Sequence, residues 1–314
     1  MISFGFMGTP QFSTIVLDHL EAAGFLPAFV VTQPDRPCGR GRKMTPSPVA
    51  LWAGERGIET LKPVSCRQES FIEDLGKRAP QFMITAAFGQ ILPPEVLSIP
   101  EQGCLNIHAS LLPRYRGASP IQTALLMGES RTGVTLMRMD AGLDTGPLLA
   151  QEEMEIPREM NAGELNLALA HLGGQLMARH LEDFAAGRLT EEEQDEDKAT
   201  LTRILRKADG EIRFDRPAHA VHNQIRAMNP WPGAFGFLQG KRYKFLRARV
   251  YPHPLAPGQA GELILEDRRM LVLCGQGAVE ILEIQPESGS PMLCIDCSHN
   301  FVEGAVFGAC STAD

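Results

Sequence analysis

"ISFGFMGTPQFSTIVLDHLEAAGFLPAFVVTQ", residues 2–33, decides the fold. The apolar run that ends at Gly8 has the length and texture of a short buried strand. Phe12, Ile15, Val16 and Leu20 then recur at helical spacing, so "PQFSTIVLDHLEAAG" is predicted to be a helix with one apolar face. "FLPAFVVTQ" supplies a second strand. Strand, helix and strand within about 30 residues make a βαβ unit, which requires a parallel pair joined by a right-handed crossover. The same texture continues in "QFMITAAF" and "GCLNIHAS", with the amphipathic "SFIEDLGKRA" and the turn-rich "GQILPPEVLSIPEQG" beside them. The first part of the chain is therefore expected to be a doubly wound α/β domain with a parallel, Rossmann-like sheet.

A first strand followed by glycine invites a dinucleotide reading, and the residues decline it. The pyrophosphate fingerprint needs three glycines at G-x-G-x-x-G spacing, whereas "FMGTPQFS" has one. No P-loop is present either.

Length and composition set the rest of the frame. With 314 residues the chain suits two domains, and 44% hydrophobic with 22% charged residues is a globular composition. No apolar run approaches the roughly 20 residues that span a bilayer, and "MISFGFMGTP" has neither a basic leader nor a cleavage pattern, so no membrane contact and a cytoplasmic location are expected. Seven cysteines scattered along the chain do not form a disulfide framework. Cys294 and Cys297, with His299 close by and Cys310 further on, fall short of a convincing zinc set, so no metal is expected.

Residues 1–188 are read as the first domain. The acidic cluster Glu191, Glu192, Glu193, Asp195, Glu196 and Asp197 reads as a solvated connector, bounded at 189–204. From 205 to 314 the chain turns to short alternating segments, "FGFLQGKRYKFLRARVY", "GELILED", "RMLVLCG" and "GAVEILEIQ", separated by glycine and proline turns. A small β-barrel of the OB-like kind is expected there.

The chemistry points to "CLNIHASLLPRYRG", residues 104–117. Side chains at i and i+2 of a strand share a face, so Asn106 and His108 stand together near a strand end. In open α/β sheets that end borders the ligand crevice. An orienting carboxylate is available from Asp140 or Asp144 in "MDAGLDTGP". An Asn, a His and an Asp without an activated nucleophile suit direct attack on a carbonyl. In that reading the amide and the imidazolium donate to the oxyanion, and the carboxylate holds the His and helps proton transfer. Ser110 lacks the strained elbow of a serine nucleophile and is given a binding role.

Together the segments N-x-H, S-L-L-P-x-x-R-G and D-x-G-x-D-T-G within "LNIHASLLPRYRGASPIQTALLMGESRTGVTLMRMDAGLDTGPLL" resemble the core signature of the folate-dependent formyltransferases. The resemblance implies that an amine attacks the formyl carbon of 10-formyltetrahydrofolate, with Asn106, His108 and Asp144 as catalytic residues. It implies that Ser110, Leu111, Leu112 and Pro113, with Phe88, Gly89, Ile91 and Leu92, bind the folate. Two positions depart from the family pattern: Ala109 stands where glycine is usual after the catalytic His, and Phe88 where tyrosine is usual.

The acceptor is signalled elsewhere. Net charge is −8, which excludes bulk attraction to nucleic acid, yet "QPDRPCGRGRKMTPSPV", residues 33–49, is locally basic. It is similar to the loop that family members acting on initiator methionyl-tRNA insert against the acceptor end. That likeness implies tRNA contacts from Arg36, Arg40, Arg42 and Lys43. "RAMNPWPGAFGFLQGKRYKFLRARV" resembles the start of the C-terminal barrel of such members and adds Lys241, Arg242 and Lys244 as tRNA-binding residues, with Arg247 and Arg249 nearby. In a regular strand Lys241 and Arg249 would share a face. An amino nucleotide-sugar is the alternative acceptor, and a catalytically silent folate or tRNA binding module is the alternative of another class. No stable protein partner is implied.

Overall fold

Seven strands of the first half form one sheet in a computed structural model that describes residues 2–38, 41 and 43–308. They are β1 (Phe4–Gly8), β2 (Phe29–Val31), β3 (Glu59–Leu61), β4 (Phe82–Ala86), β5 (Cys104–His108), β6 (Arg131–Arg138) and β7 (Leu148–Glu155). Their order is β7-β6-β5-β4-β1-β2-β3. β1, β2, β3, β4 and β5 pair in parallel, and β6 runs antiparallel to β5. The chain winds from β1 out to β3, then returns across β1 to β4. The strand order thus reverses between β1 and β4, where an open α/β sheet leaves its crevice.

Local chemistry accounts for the helices. α1 (Gln11–Ala22) buries the expected Phe12, Ile15, Val16 and Leu20. α2 (Pro48–Glu55) starts with proline at its first turn, and the Ser47 hydroxyl accepts the Ala50 N–H at 3.1 Å, which satisfies one of the orphan donors of a helix start. α3 (Glu69–Arg78) has an acid in its first turn and Lys77 and Arg78 in its last, the polarity its dipole favours.

Met7, Phe29, Val31, Met83 and Cys104 lie in one apolar cluster with Phe71 and Leu75 of α3. Each large side chain fully buried there contributes on the order of 1.5–3 kcal/mol. Asn106 and His108 continue the face of Cys104 by strand alternation, so the polar pair begins where the apolar cluster stops.

The second compact unit gathers residues 118–131, 155–165 and the chain from 203 onward, while 1–117, 132–154 and 166–202 make the first. Its strands are β8 (Ala234–Leu238), β9 (Lys241–Val250), β10 (Leu263–Glu266), β11 (Arg269–Leu273) and β12 (Ala278–Pro286), in antiparallel order β8-β9-β12-β11-β10. Residues 305–308 join the two edges. Phe237 and Gly308 exchange N–H···O bonds at 3.1 and 2.9 Å, Leu263 N donates to Ala305 O at 2.8 Å, and Phe307 N donates to Gly261 O at 2.8 Å. Phe214, Phe245 and Phe307 meet ring to ring inside, at centroid distances of 5.2–6.1 Å.

One expectation is corrected in β9. Its register against β12 shifts between Phe245 and Ala248, and Phe245 and Ala248, three apart, are both buried. The bulge breaks the alternation, so Lys241 and Arg249 do not share a face. Arg249 instead pairs with Glu280 at 2.8 Å.

Candidate active site

β5 delivers its last residue, His108, into a loop whose backbone is pinned by the two neighbouring strands. Thr135 on β6, the cross-strand partner of His108, donates its hydroxyl to Ser110 O at 2.7 Å and accepts the Leu112 N–H at 3.1 Å. Gln151 on β7 donates to Leu112 O at 2.8 Å and to the Thr135 hydroxyl at 2.9 Å. Thr135 and Gln151 escaped the sequence reading because each acts across the sheet on a segment more than 20 residues away. The Ser110 hydroxyl is wholly buried and donates to Arg114 O at 2.6 Å, so it shapes the loop.

Three side chains converge. His108 is 6% exposed, and its Nε2 lies 3.0 Å from Tyr115 O. A carbonyl can only accept, so Nε2 carries the proton of that bond. The other nitrogen, Nδ1, faces Asp144 Oδ2 at 3.6 Å, and Asn106 Nδ2 lies 3.4 Å from Asp144 Oδ1. Gly117 N donates to Asp144 Oδ2 at 2.8 Å, the tightest bond the carboxylate makes. Both ring nitrogens of His108 thus face protein acceptors, while the second N–H of the Asn106 amide has no partner among the described residues. The amide is the better-placed donor toward an oxyanion, and the imidazolium is the worse.

The loop that carries Asp144 is built by its neighbours. Asp140 accepts the Thr145 hydroxyl at 2.8 Å and the Gly142 N–H at 3.0 Å, so it shapes the turn and leaves Asp144 to face His108. Asp144 itself sits at φ 55, a left-handed conformation that Asp and Asn tolerate better than other side chains. A Cβ at Gly146 would overlap the carbonyl oxygen of Arg138, so glycine permits the close approach.

A cleft of about 610 Å³ opens beside the carboxyl ends of β2, β3 and β4, lined by Gln33, Arg36, Ser65, Arg67, Gly89 and Ile91 among others. That volume is within the range of small-molecule sites. Gln33 Nε2 donates to Phe88 O and Gly89 O at 3.0 and 3.1 Å, and Gly89 has a positive φ of 83, which keeps the 88–91 turn tight against the cleft. Of the residues assigned to folate, Gly89 and Ile91 line this cleft. Phe88 and Leu92 instead lie in the apolar cluster beneath, and Ser110, Leu111, Leu112 and Pro113 belong to the pinned loop after β5.

Residues 2–181 match the family model for formyl transferase, and residues 204–297 match that for the formyl transferase C-terminal domain. The chain belongs to the formyl transferase family. A methionyl-tRNA formyltransferase of Caldanaerobacter subterraneus subsp. tengcongensis is 40% identical over 96% of this formyltransferase and 98% of its own length. One from Syntrophus aciditrophicus is 42% identical over 98% and 99%. In fold the formyltransferase is similar to an N-formyltransferase from Helicobacter canadensis solved with folinic acid and dTDP-3-aminofucose, at TM-score 0.66 and 18% identity, over 91% of this chain and 100% of that one.

The basic residues divide between the two units. Arg36 and Lys43 lie on an exposed two-stranded hairpin, Arg36–Cys38 against Lys43–Thr45, while Arg40 and Arg42 fall outside the described residues. Lys241 and Lys244 on β9 are exposed, and Arg242 stacks on the Phe235 ring at 3.8 Å. Cys294 and Cys297 are buried, and burial pushes both thiols up; Cys310 lies outside the described residues.

Proposed function

We propose that this formyltransferase moves the formyl group of 10-formyltetrahydrofolate to the α-amine of methionine carried by initiator tRNA. The convergence of Asn106 and His108 on Asp144 at a sheet end carries the reaction class, and the near full-length kinship with methionyl-tRNA formyltransferases supports the acceptor. The amine nitrogen attacks the formyl carbon and forms a C–N bond. The Asn106 amide donates to the oxyanion of the tetrahedral intermediate. Asp144, with His108 beside it, takes the proton lost by the amine, and N10 of the folate gains one as its bond to carbon breaks.

In this reading residues 1–188 perform the transfer, 189–204 connect, and 205–314 contact tRNA. Arg36, Arg40, Arg42 and Lys43, with Lys241, Arg242 and Lys244, meet tRNA phosphates. The 88–92 turn and the 110–113 loop flank the folate. Purified protein with 10-formyltetrahydrofolate should formylate charged initiator methionyl-tRNA. Turnover with an amino nucleotide-sugar and none with tRNA would overturn the acceptor.

A further inference from the structure

Gln194 lies in the stretch that reads as an acidic, solvated connector, yet it is only 8% exposed. Its Nε2 donates to two carbonyls of the Asp144 loop, Asp144 O at 2.9 Å and Gly146 O at 2.7 Å. Its Oε1 accepts from Arg116 Nε at 3.0 Å and Nη2 at 2.8 Å. Arg116 is 3% exposed and is held from its far side by Glu196, at 2.9 and 2.7 Å.

Arg116 belongs to the other loop of the site. It directly precedes Gly117, whose N–H binds the Asp144 carboxylate, and follows Tyr115, whose carbonyl accepts from His108. The connector grips this loop along its backbone as well. Tyr115 N donates to the Thr200 hydroxyl at 2.8 Å, Arg116 N donates to Thr200 O at 2.8 Å, and the Thr202 hydroxyl donates to Arg116 O at 3.0 Å. On the other side Leu148 and Glu192 exchange backbone bonds at 2.8 and 2.9 Å. One short segment therefore fastens both loops, and a single side chain bridges them.

We propose that Gln194 is a positioning residue for formyl transfer: by joining the Arg116 guanidinium to the Asp144 backbone it sets the separation between the Asp144 carboxylate and His108. The inference rests on the catalytic roles given to Asp144 and His108 above. The amide is the one neutral side chain of this length that can serve both neighbours, because Arg116 offers only donors and the two carbonyls are only acceptors. A carboxylate would satisfy Arg116 and oppose the carbonyls. A thioether of the same length would satisfy neither and would leave buried carbonyl oxygens unpaired.

The test compares full-length wild type with Gln194→Met, Gln194→Glu and, as a control in the same acidic stretch, the exposed Glu193→Gln. Formylation of charged initiator methionyl-tRNA is followed across pH, together with thermal unfolding and amide exchange of residues 140–148. Gln194→Met should lower kcat about 10- to 100-fold through misplaced groups, with KM for the folate nearly unchanged. In Gln194→Glu, protonation at low pH restores an O–H donor toward a carbonyl, so its kcat relative to wild type should recover as pH falls. Exchange of residues 140–148 should speed up in Gln194→Met, and Glu193→Gln should behave as wild type. A folded Gln194→Met with wild-type kcat and exchange, or a Gln194→Glu ratio flat with pH, would overturn the proposal. Should Gln194→Met fail to fold, the Gln194→Glu ratio alone decides. Should wild type fail to formylate the tRNA, the functional reading falls, and exchange in the free protein still decides whether Gln194 holds the Asp144 loop.

Discussion

Asp144 Oδ2 stands 3.6 Å from His108 Nδ1, held there by the Gly117 N–H at 2.8 Å. That separation is slightly longer than a hydrogen bond, and a small rotation of the ring closes it. Asp144→Asn keeps the shape, the tolerance for φ 55 and most of the hydrogen bonds, and removes the charge. Expected is a fall in kcat on the order of 10²–10⁴ with an unchanged melting temperature. Steady-state rates and a thermal melt check this; a variant within tenfold of wild type would remove Asp144 from the proton chemistry.

Asn106 is half-buried two residues before the end of its strand, and its neighbour in the site is a carboxylate rather than the core. Asn106→Ala therefore creates little cavity and deletes the proposed oxyanion donor. Turnover should drop by about 10²–10³ while KM for the folate changes little. Unfolding of this variant would instead return Asn106 to the role of a core polar group.

The local patterns were legible and the cross-chain ones were not. β1, α1, β4 and β5 carry their period within a few residues, and the shared face of Asn106 and His108 follows from alternation alone. Gln194 carries no such mark, since its burial depends on Arg116 and Asp144, 78 and 50 residues away. The parity of β9 fails for a similar reason: the bulge at Leu246 is a property of its pairing with β12, and an unbroken apolar–polar count along Lys241–Val250 cannot register it. Residues 305–308 lie beyond the stretch that matches the family model for the C-terminal domain, yet they supply the edge-to-edge bonds through backbone groups that any sequence offers.

Gly146→Ala tests the geometry of the Asp144 loop without touching a polar side chain. The added methyl would meet the Arg138 carbonyl oxygen, a backbone atom in the sheet that cannot swing away. Overpacking of this kind costs about 1–3 kcal/mol. Because the displaced loop also carries Asp144, activity measured well below the melting temperature should fall further than the lost stability explains.

His19 Nε2 lies 3.0 Å from His171 Nδ1, and burial first, then the neighbouring imidazole, pull the His19 pKa below its ordinary value, with Asp18 opposing. The folded state therefore binds this proton less readily than the unfolded chain. Stability from this group is complete above the ordinary histidine value of about 6.5 and is lost as pH falls through the lowered folded value. Melting temperatures taken from pH 8 to pH 5 should decline below about pH 6.5, and His19→Gln should flatten part of that decline. An identical slope in the variant would refute the assignment.

Lys241 and Lys244 are exposed on β9, whereas the Arg242 guanidinium lies on Phe235 and the Arg249 guanidinium, though exposed, is tied to Glu280. They are the cations of this strand best placed to meet phosphate. If each neutralises one tRNA phosphate, each releases counterion, and the slope of log affinity against log salt loses about 0.7–0.9 per contact. The double variant Lys241→Ala/Lys244→Ala should then bind charged initiator tRNA with a slope shallower by about 1.4–1.8, a raised KM for tRNA and an unchanged KM for 10-formyltetrahydrofolate. A wild-type salt slope in the double variant would move the tRNA surface away from this strand, toward the hairpin that carries Arg36 and Lys43.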